Sequence, residues 1–341
     1  MIIAWIAFLT LVGGLLAFDL GVMNPGDRLI SVRTALRNTL LFAALAVAFG
    51  GFVHVAYDHQ WLGLGSTPDA IDGVTNTGRI ALVKFFTGYV VELSLSTDNV
   101  FVIALIFEHL RVPAIYQHRV LFWGILGALA MRGTMIAVGA QLVARFHWIL
   151  WLFGLFLLYT AAKMLLSKGG DAVEEPDENR LVRFFRSFLP VTSTERGHDF
   201  VVREAGRWML TPLAVCLLLV ETTDLLFAVD SIPAIFAITT DPFLVFTSNV
   251  FAILGLRSLY FALAGAMDRF YHLKTALAVI LGVVGVKMLA TDWLVREFGP
   301  TVNQWLLALI AAILGGAVVI SLLRERASPG AVPPGPPRTP R

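Results

Sequence analysis

The 341-residue sequence is 57% hydrophobic and only 15% charged, with a net charge of +2 and a single cysteine, Cys216. An internal disulfide and a thiolate metal cluster are excluded, and the charge implies no nucleic-acid partner. Long runs such as WILWLFGLFLLYTAA (148–162) are apolar on every side, which predicts an all-α, polytopic membrane protein rather than a soluble globule.

At roughly 20 residues per crossing, nine transmembrane helices are expected, at about 1–20, 36–56, 80–106, 119–143, 147–166, 211–238, 243–265, 274–291 and 303–322. The first segment lacks a basic start and a small-residue cleavage site, so it reads as a retained span rather than an export signal. Eighteen Lys and Arg residues fall in alternate loops and the tail, against Arg79, Arg145 and Arg296 on the other side. The positive-inside bias therefore predicts an external N-terminus and a cytoplasmic C-terminus in a cell inner membrane.

Six units follow: two N-terminal spans (1–78), three spans (79–166), a long cytoplasmic loop (167–210), three more spans (211–291), a last span (292–323) and a tail (324–341). Within the loop, RLVRFFRSFLP suits a short helix on the membrane surface. The Pro-rich tail is expected to be disordered.

The two three-span units resemble each other in order. VELSLSTDNVFVIALIF (91–107) aligns with TDLLFAVDSIPAIFAIT (223–239), pairing Glu92 with Asp224, Asp98 with Asp230 and Asn99 with Ser231. LAMRG and LGLRS pair Arg132 with Arg257, and KML recurs at 163–165 and 287–289. Three spans is an odd number, so the second copy must enter from the opposite face: an inverted 3+3 helix repeat, the architecture in which a substrate site lies at the midplane. Lys163 and Lys287 fall at opposite ends of their spans, as a mirrored pair does, and both are expected to snorkel towards the interface.

Glu92, Asp98, Glu221, Asp224 and Asp230 all lie in the middle portions of spans three and six. An ionised carboxylate at the bilayer centre costs about 2.5–3.5 kcal/mol, so five require pairing, protonation or a bound cation. Arg132 and Arg257 are the mid-span partners available for ion pairing, which leaves an excess of negative charge. Glu221 and Asp224 share a helix face, whereas Asp230 lies about 120° further round. Pro233 leaves the carbonyl of Val229 without its helical donor, so a kinked or broken span six is expected to re-aim Asp230. The first copy carries Tyr89 opposite Glu221 and Phe101 opposite Pro233, so the two are not equivalent. Asn99, Ser94, Ser96, Thr97, Ser231 and Asn249 add oxygens and amides, while the seven histidines lie in loops or near span ends. That donor set favours a hard divalent cation such as Mn²⁺, Mg²⁺ or Ca²⁺ over copper or zinc.

ELSLSTDNVFV (92–102) and VETTDLLFAVDSIPAIFAITTDPFLVFTSNVFAILGLRSLYF (220–261), with RFFRSFLPVT and GRWMLTPLAV, resemble the signature of the TerC family of integral membrane proteins. The likeness covers nearly the whole chain except the tail. It implies a LysE-like transporter fold and, for the branch of Alx manganese exporters, outward movement of Mn²⁺. It marks Glu92, Asp98, Asn99, Glu221, Asp224, Asp230, Ser231, Asn249 and Arg257 as motif positions; the metal-site residues expected are Glu92, Asp98, Asn99, Glu221, Asp224 and Asp230, with Ser231, Asn249, Arg132 and Arg257 supporting them.

The expected function is export of a divalent cation, Mn²⁺ foremost, with protons as a possible counter-ion and with neither catalytic residues nor a cofactor. The alternative is a membrane accessory or assembly factor in metal homeostasis or tellurite resistance, without flux of its own. Direct handling of the tellurite oxyanion fits least, because the buried charge is acidic whereas an anion site needs converging basic groups or helix N-termini. No phosphate loop, Ser/His/Asp motif or haem pattern points to an enzyme.

Overall fold

A computed structural model of the protein describes residues 1–19, 31–166, 190–192, 199–204, 207–263 and 271–327. The elements are α1 (Ile2–Phe18), α2 (Val32–Asp58), α3 (Gly78–His109), α4 (Ala114–Arg145), α5 (Ile149–Leu166), β1 (Val201–Glu204), β2 (Arg207–Leu210), α6 (Pro212–Phe236), α7 (Pro242–Leu263), α8 (Tyr271–Leu289), α9 (Thr291–Phe298) and α10 (Val302–Ala327). The protein is an all-α polytopic membrane protein.

Each of the nine apolar segments is helical. Helices α2 to α7 and α10 are long and apolar enough to cross a membrane. Helix α8 forms a pair with α9, bent by 79°, and α1 is a shorter apolar helix of 17 residues. Trp293 and Phe298 are exposed on α9, as suits a short amphipathic helix lying in an interface.

Helix starts follow local chemistry. Thr211 precedes Pro212 and its hydroxyl accepts the Ala214 N–H at 3.3 Å, satisfying one of the donors a helix start leaves free. Asp241 precedes Pro242 and accepts the Phe243 N–H at 3.0 Å. Helix α6 runs unbroken from 212 to 236 with Pro233 inside it. The break expected at Pro233 is absent: the proline stands in the last turn, so its missing N–H falls beside the helix end and little helix beyond it remains to be redirected.

Helices α3 and α7 form the centre. Helix α3 packs against α2, α6, α7 and α10, and α4 packs against α6 and α7. Helices α5 and α8 lie closest where Gly154 meets Gly285: a Cβ at Gly285 would sit 3.2 Å from the Gly154 carbonyl oxygen, and one at Gly154 would sit 3.4 Å from the Gly285 carbonyl oxygen. Small residues let two backbones approach in this way where no hydrophobic effect drives helices together. Trp5 and Phe8 of α1 pack edge-on or tilted against Phe243 and Phe246 of α7, fixing α1 against the core.

The bundle has two unlike ends. At one, residues 59–77 fold over the helices; this is the loop end. At the other, β1 and β2 form an antiparallel hairpin pairing Arg203 with Trp208, with the Arg203 guanidinium 5.8 Å from the Trp208 ring centroid. The sequence reading anticipated no strands there. Its surface helix at RLVRFFRSFLP and the tail beyond Ala327 lie outside the described residues, while α10 continues through 324–327, four residues into the segment expected to be disordered.

Candidate functional site

Arg132 of α4 is the hub. It is 1% exposed, and its Nη1 donates to Glu92 Oε1 of α3, forming a close ion pair. Its Nη2 donates to Asp224 Oδ1 at 2.9 Å and its Nε to Asp224 Oδ2 at 3.3 Å, a two-pronged bond to α6. Nη1 also reaches Asn249 Oδ1 of α7 at 3.1 Å and Ser231 Oγ at 3.4 Å. One guanidinium thus ties α3, α6 and α7 to α4, using the planar fork that lysine lacks. Ser96 donates to Glu92 at 2.9 Å and Asn99 donates to Asp224 at 3.4 Å.

Beside this hub, Asp98 of α3 and Asp230 of α6 line one cavity of about 50 Å³, together with Asn99, Arg132 and Ser231. Its apolar walls include Leu95, Met164, Leu277 and Leu281 from α3, α5 and α8. The volume is enough for an ion or a water molecule, given the ~30 Å³ that water occupies in the liquid. Asp230 accepts a hydrogen bond from Thr160 of α5 at 3.5 Å. The angular separation read from the sequence holds on this continuous helix: Asp224 faces α4, and Asp230 faces α5 and the cavity.

Glu221 is half-buried and lies against Gly127 of α4, in the space a Cβ there would take. It is not bonded to Arg132. Arg257 also stands apart. It is 2% exposed and pairs with Asp19 at the end of α1, at 2.6 Å. Glu92 and Asp224 therefore share Arg132, while Arg257 pairs with Asp19. Among the described residues, no three His, Cys, Asp or Glu side chains converge as a group that could hold a metal ion.

The sequence reading missed Asp19, Thr160 and Gly127, and it missed a second buried ionic layer at the loop end. There Lys84 of α3, fully buried, donates to Asp69 and lies 2.8 Å from both Asp69 and Asp72, and it donates to Asn76 at 2.8 Å. Asp69 also accepts the Thr239 hydroxyl, the Thr240 hydroxyl at 2.6 Å and the Thr240 N–H at 2.9 Å. Burial pushes the Asp69 carboxyl up, but the Lys84 ammonium and the threonine donors outweigh it and hold it at about 2. Burial raises the Asp241 carboxyl, against the bond it accepts from Tyr57 at 2.8 Å. The signal for this layer was the doublet of acids in TPDAIDG, opposite a lysine two turns into span three.

Lys287 corrects another expectation. It does not snorkel: it is buried and donates to the Ala237 carbonyl at 2.5 Å. The end of α6 offers carbonyls without helical donors, and α8 delivers the ammonium to one of them. Lys163, its counterpart on α5, is exposed.

A membrane-spanning helical bundle with an arginine-bridged carboxylate core is the class these observations define. The chain belongs to the TerC family of integral membrane proteins, whose family model matches residues 77–328. It is 45% identical over 325 residues, 95% of this chain and 93% of the relative, to the membrane protein STKORF319 of Myxococcus xanthus. It is similar to proteins named membrane-bound redox modulator Alx. Identity to that of Photorhabdus laumondii is 40% over 93% of this chain and 94% of the relative. For Escherichia coli K12 it is 43% over 85% and 86%. No solved structure matches the chain.

Proposed function

We propose that the protein is a secondary transporter exporting a divalent cation, Mn²⁺ foremost, across the cell inner membrane, with its N-terminus outside. The observation that carries this reading is the shared cavity: Asp98 and Asp230, from different helices, line one space of about 50 Å³ among apolar walls. Two carboxylates there, with the Asn99 and Ser231 side chains beside them, offer the hard oxygen donors such a cation takes. An intramembrane ionisable residue is costly and marks an ion pathway by default.

Arg132 acts as a tethered cation in this scheme. It holds Glu92 and Asp224, so these become ligands only when it swings away, while Asp98 and Asp230 line the cavity that takes the ion. The same carboxylates take up protons on the return step, which makes protons the counter-ion. Packing of α3 on α7 alongside α4 on α6 is what a twofold exchange of α3–α5 with α6–α8 produces, and it supports alternating access through an inverted repeat. The reading assigns no catalytic residue and no resident cofactor.

The test is uptake of ⁵⁴Mn²⁺ into inverted vesicles. Asp230→Asn is expected to lower the initial rate at least about tenfold, a loss of some 1.4 kcal/mol or more in transition-state stabilisation. Equal rates for the native protein and the variant overturn the assignment. The second reading, an accessory factor in metal homeostasis or tellurite resistance, is favoured by the lack of a three-ligand cluster among the described residues. It predicts no flux above empty vesicles.

A further inference from the structure

The helices that line the Asp98–Asp230 cavity also meet at the loop end, and there they are bolted together. Leu95, Asp98 and Asn99 of α3 line the cavity, as do Asp230 and Ser231 of α6 and Leu277 and Leu281 of α8. Leu281 and Leu277 stand six and ten residues before Lys287, about 9–15 Å down α8; Leu95 stands eleven residues beyond Lys84, about 17 Å down α3. At the loop end, Lys84 of α3 is fixed to Asp69 and Asp72 of the 59–77 segment. Asp69 in turn takes the Thr239 and Thr240 donors just beyond α6. Lys287 of α8 closes on Ala237 at the same place. Between this layer and the cavity lie Val91, Ala234 and Val284, all buried in one apolar cluster.

We propose that this layer is the gate on the loop side of the site: a latch of Lys84, Asp69 and Thr239, reinforced by Lys287, that must part before an ion passes in that direction. The inference rests on the transport reading for its purpose, but its structural content is separate. The paired Lys84, Asp69 and Asp72 side chains close the space above the cavity, and the apolar layer beneath excludes water. Every polar group of the latch is matched by a partner on another segment, so parting it exposes charges that only water can then satisfy. Opening is therefore tied to hydration of the loop end. The asymmetry between buried Lys287 and exposed Lys163 places the closed face at this end.

The test reads access rather than transport. In a Cys216→Ala background, Leu95→Cys reports on the cavity and Thr75→Cys, on an exposed loop residue, reports which membrane face carries the loop. Membrane-impermeant methanethiosulfonates of both charge signs are applied to intact cells and to inverted vesicles. With the latch intact, Leu95→Cys is expected to react slowly from the loop side; adding Lys84→Met raises its rate about tenfold for both reagents, and Lys84→Arg restores the slow rate. If Lys84→Met fails to fold, the triple change Lys84→Met, Asp69→Asn, Asp72→Asn, which strands no charge, is expected to give the same rise. An unchanged rate, or a rise for the cationic reagent alone, overturns the gate. Because no metal enters the measurement, loss of Mn²⁺ flux and loss of gating are read separately.

Discussion

Arg132 and Arg257 occupy matched places in two similar sequence stretches, yet they do opposite work. Arg132 on α4 gathers Glu92, Asp224, Asn249 and Ser231 from three other helices. Arg257 on α7 turns outward from that group and pairs with Asp19 of α1. The difference lies in the neighbours: α1 packs on α7 through Trp5 and Phe8 and brings a carboxylate with it, whereas the carboxylates Arg132 meets come from α3 and α6. A segment outside the two similar stretches thus takes Arg257 to Asp19 and leaves Glu92 and Asp224 to Arg132.

The sharpest way to break this contrast is to remove each arginine. Arg132→Met leaves Glu92 and Asp224 buried with no counter-charge, and it is expected to cost about 3–5 kcal/mol, seen as a large fall in the unfolding temperature in detergent, together with loss of ⁵⁴Mn²⁺ uptake. The double change Arg257→Met, Asp19→Leu removes both members of its pair. It should stay within about 1 kcal/mol of the native protein and keep its flux. Equal losses in the two variants would show the two arginines to be equivalent after all.

A smaller effect separates the hub from the latch. Asp69 lies outside the spans with its folded value at about 2, below the ordinary 3.8. A depressed carboxylate stabilises the fold fully above its unfolded value, and that contribution fades as pH falls from about 4 through 2. The expected loss is on the order of 2 kcal/mol, read as a drop in thermal stability over that window. Asp69→Asn should be less stable at neutral pH and should flatten the profile; a native profile already flat between pH 4 and 2 would show that Lys84 does not hold this carboxylate.

Gly127→Ala is the mildest probe. Its Cβ would meet the Glu221 carboxylate, the far end of a flexible side chain that can move aside. A stability loss of about 1 kcal/mol and a rise in apparent KM for Mn²⁺ of less than about tenfold, with kcat unchanged, are expected. No change in KM would remove Glu221 from the ion's surroundings.

The helical segments were legible because a bilayer crossing demands a long apolar run, and runs of that kind have few alternatives. The separation of Asp224 from Asp230 was legible too, since a fixed angle per residue follows from helix geometry alone. The site's partners were less so. Pro233 suggested a break, but its place in the last turn let α6 continue. Lys287 looked like an interfacial lysine, because nothing in its own segment reveals that the end of α6 waits beside it with a free carbonyl.

By itself the sequence determined the class of protein, the helical segments and the set of carboxylates too costly to leave unpaired in hydrocarbon, since these depend on composition and periodicity along one chain. Only the tertiary structure decided that Arg132 bridges Glu92 and Asp224, that Arg257 belongs to Asp19, and that Lys84 locks to Asp69. An ion pair is chosen by distance in space, and residues as far apart as 19 and 257 become neighbours only when the helices pack.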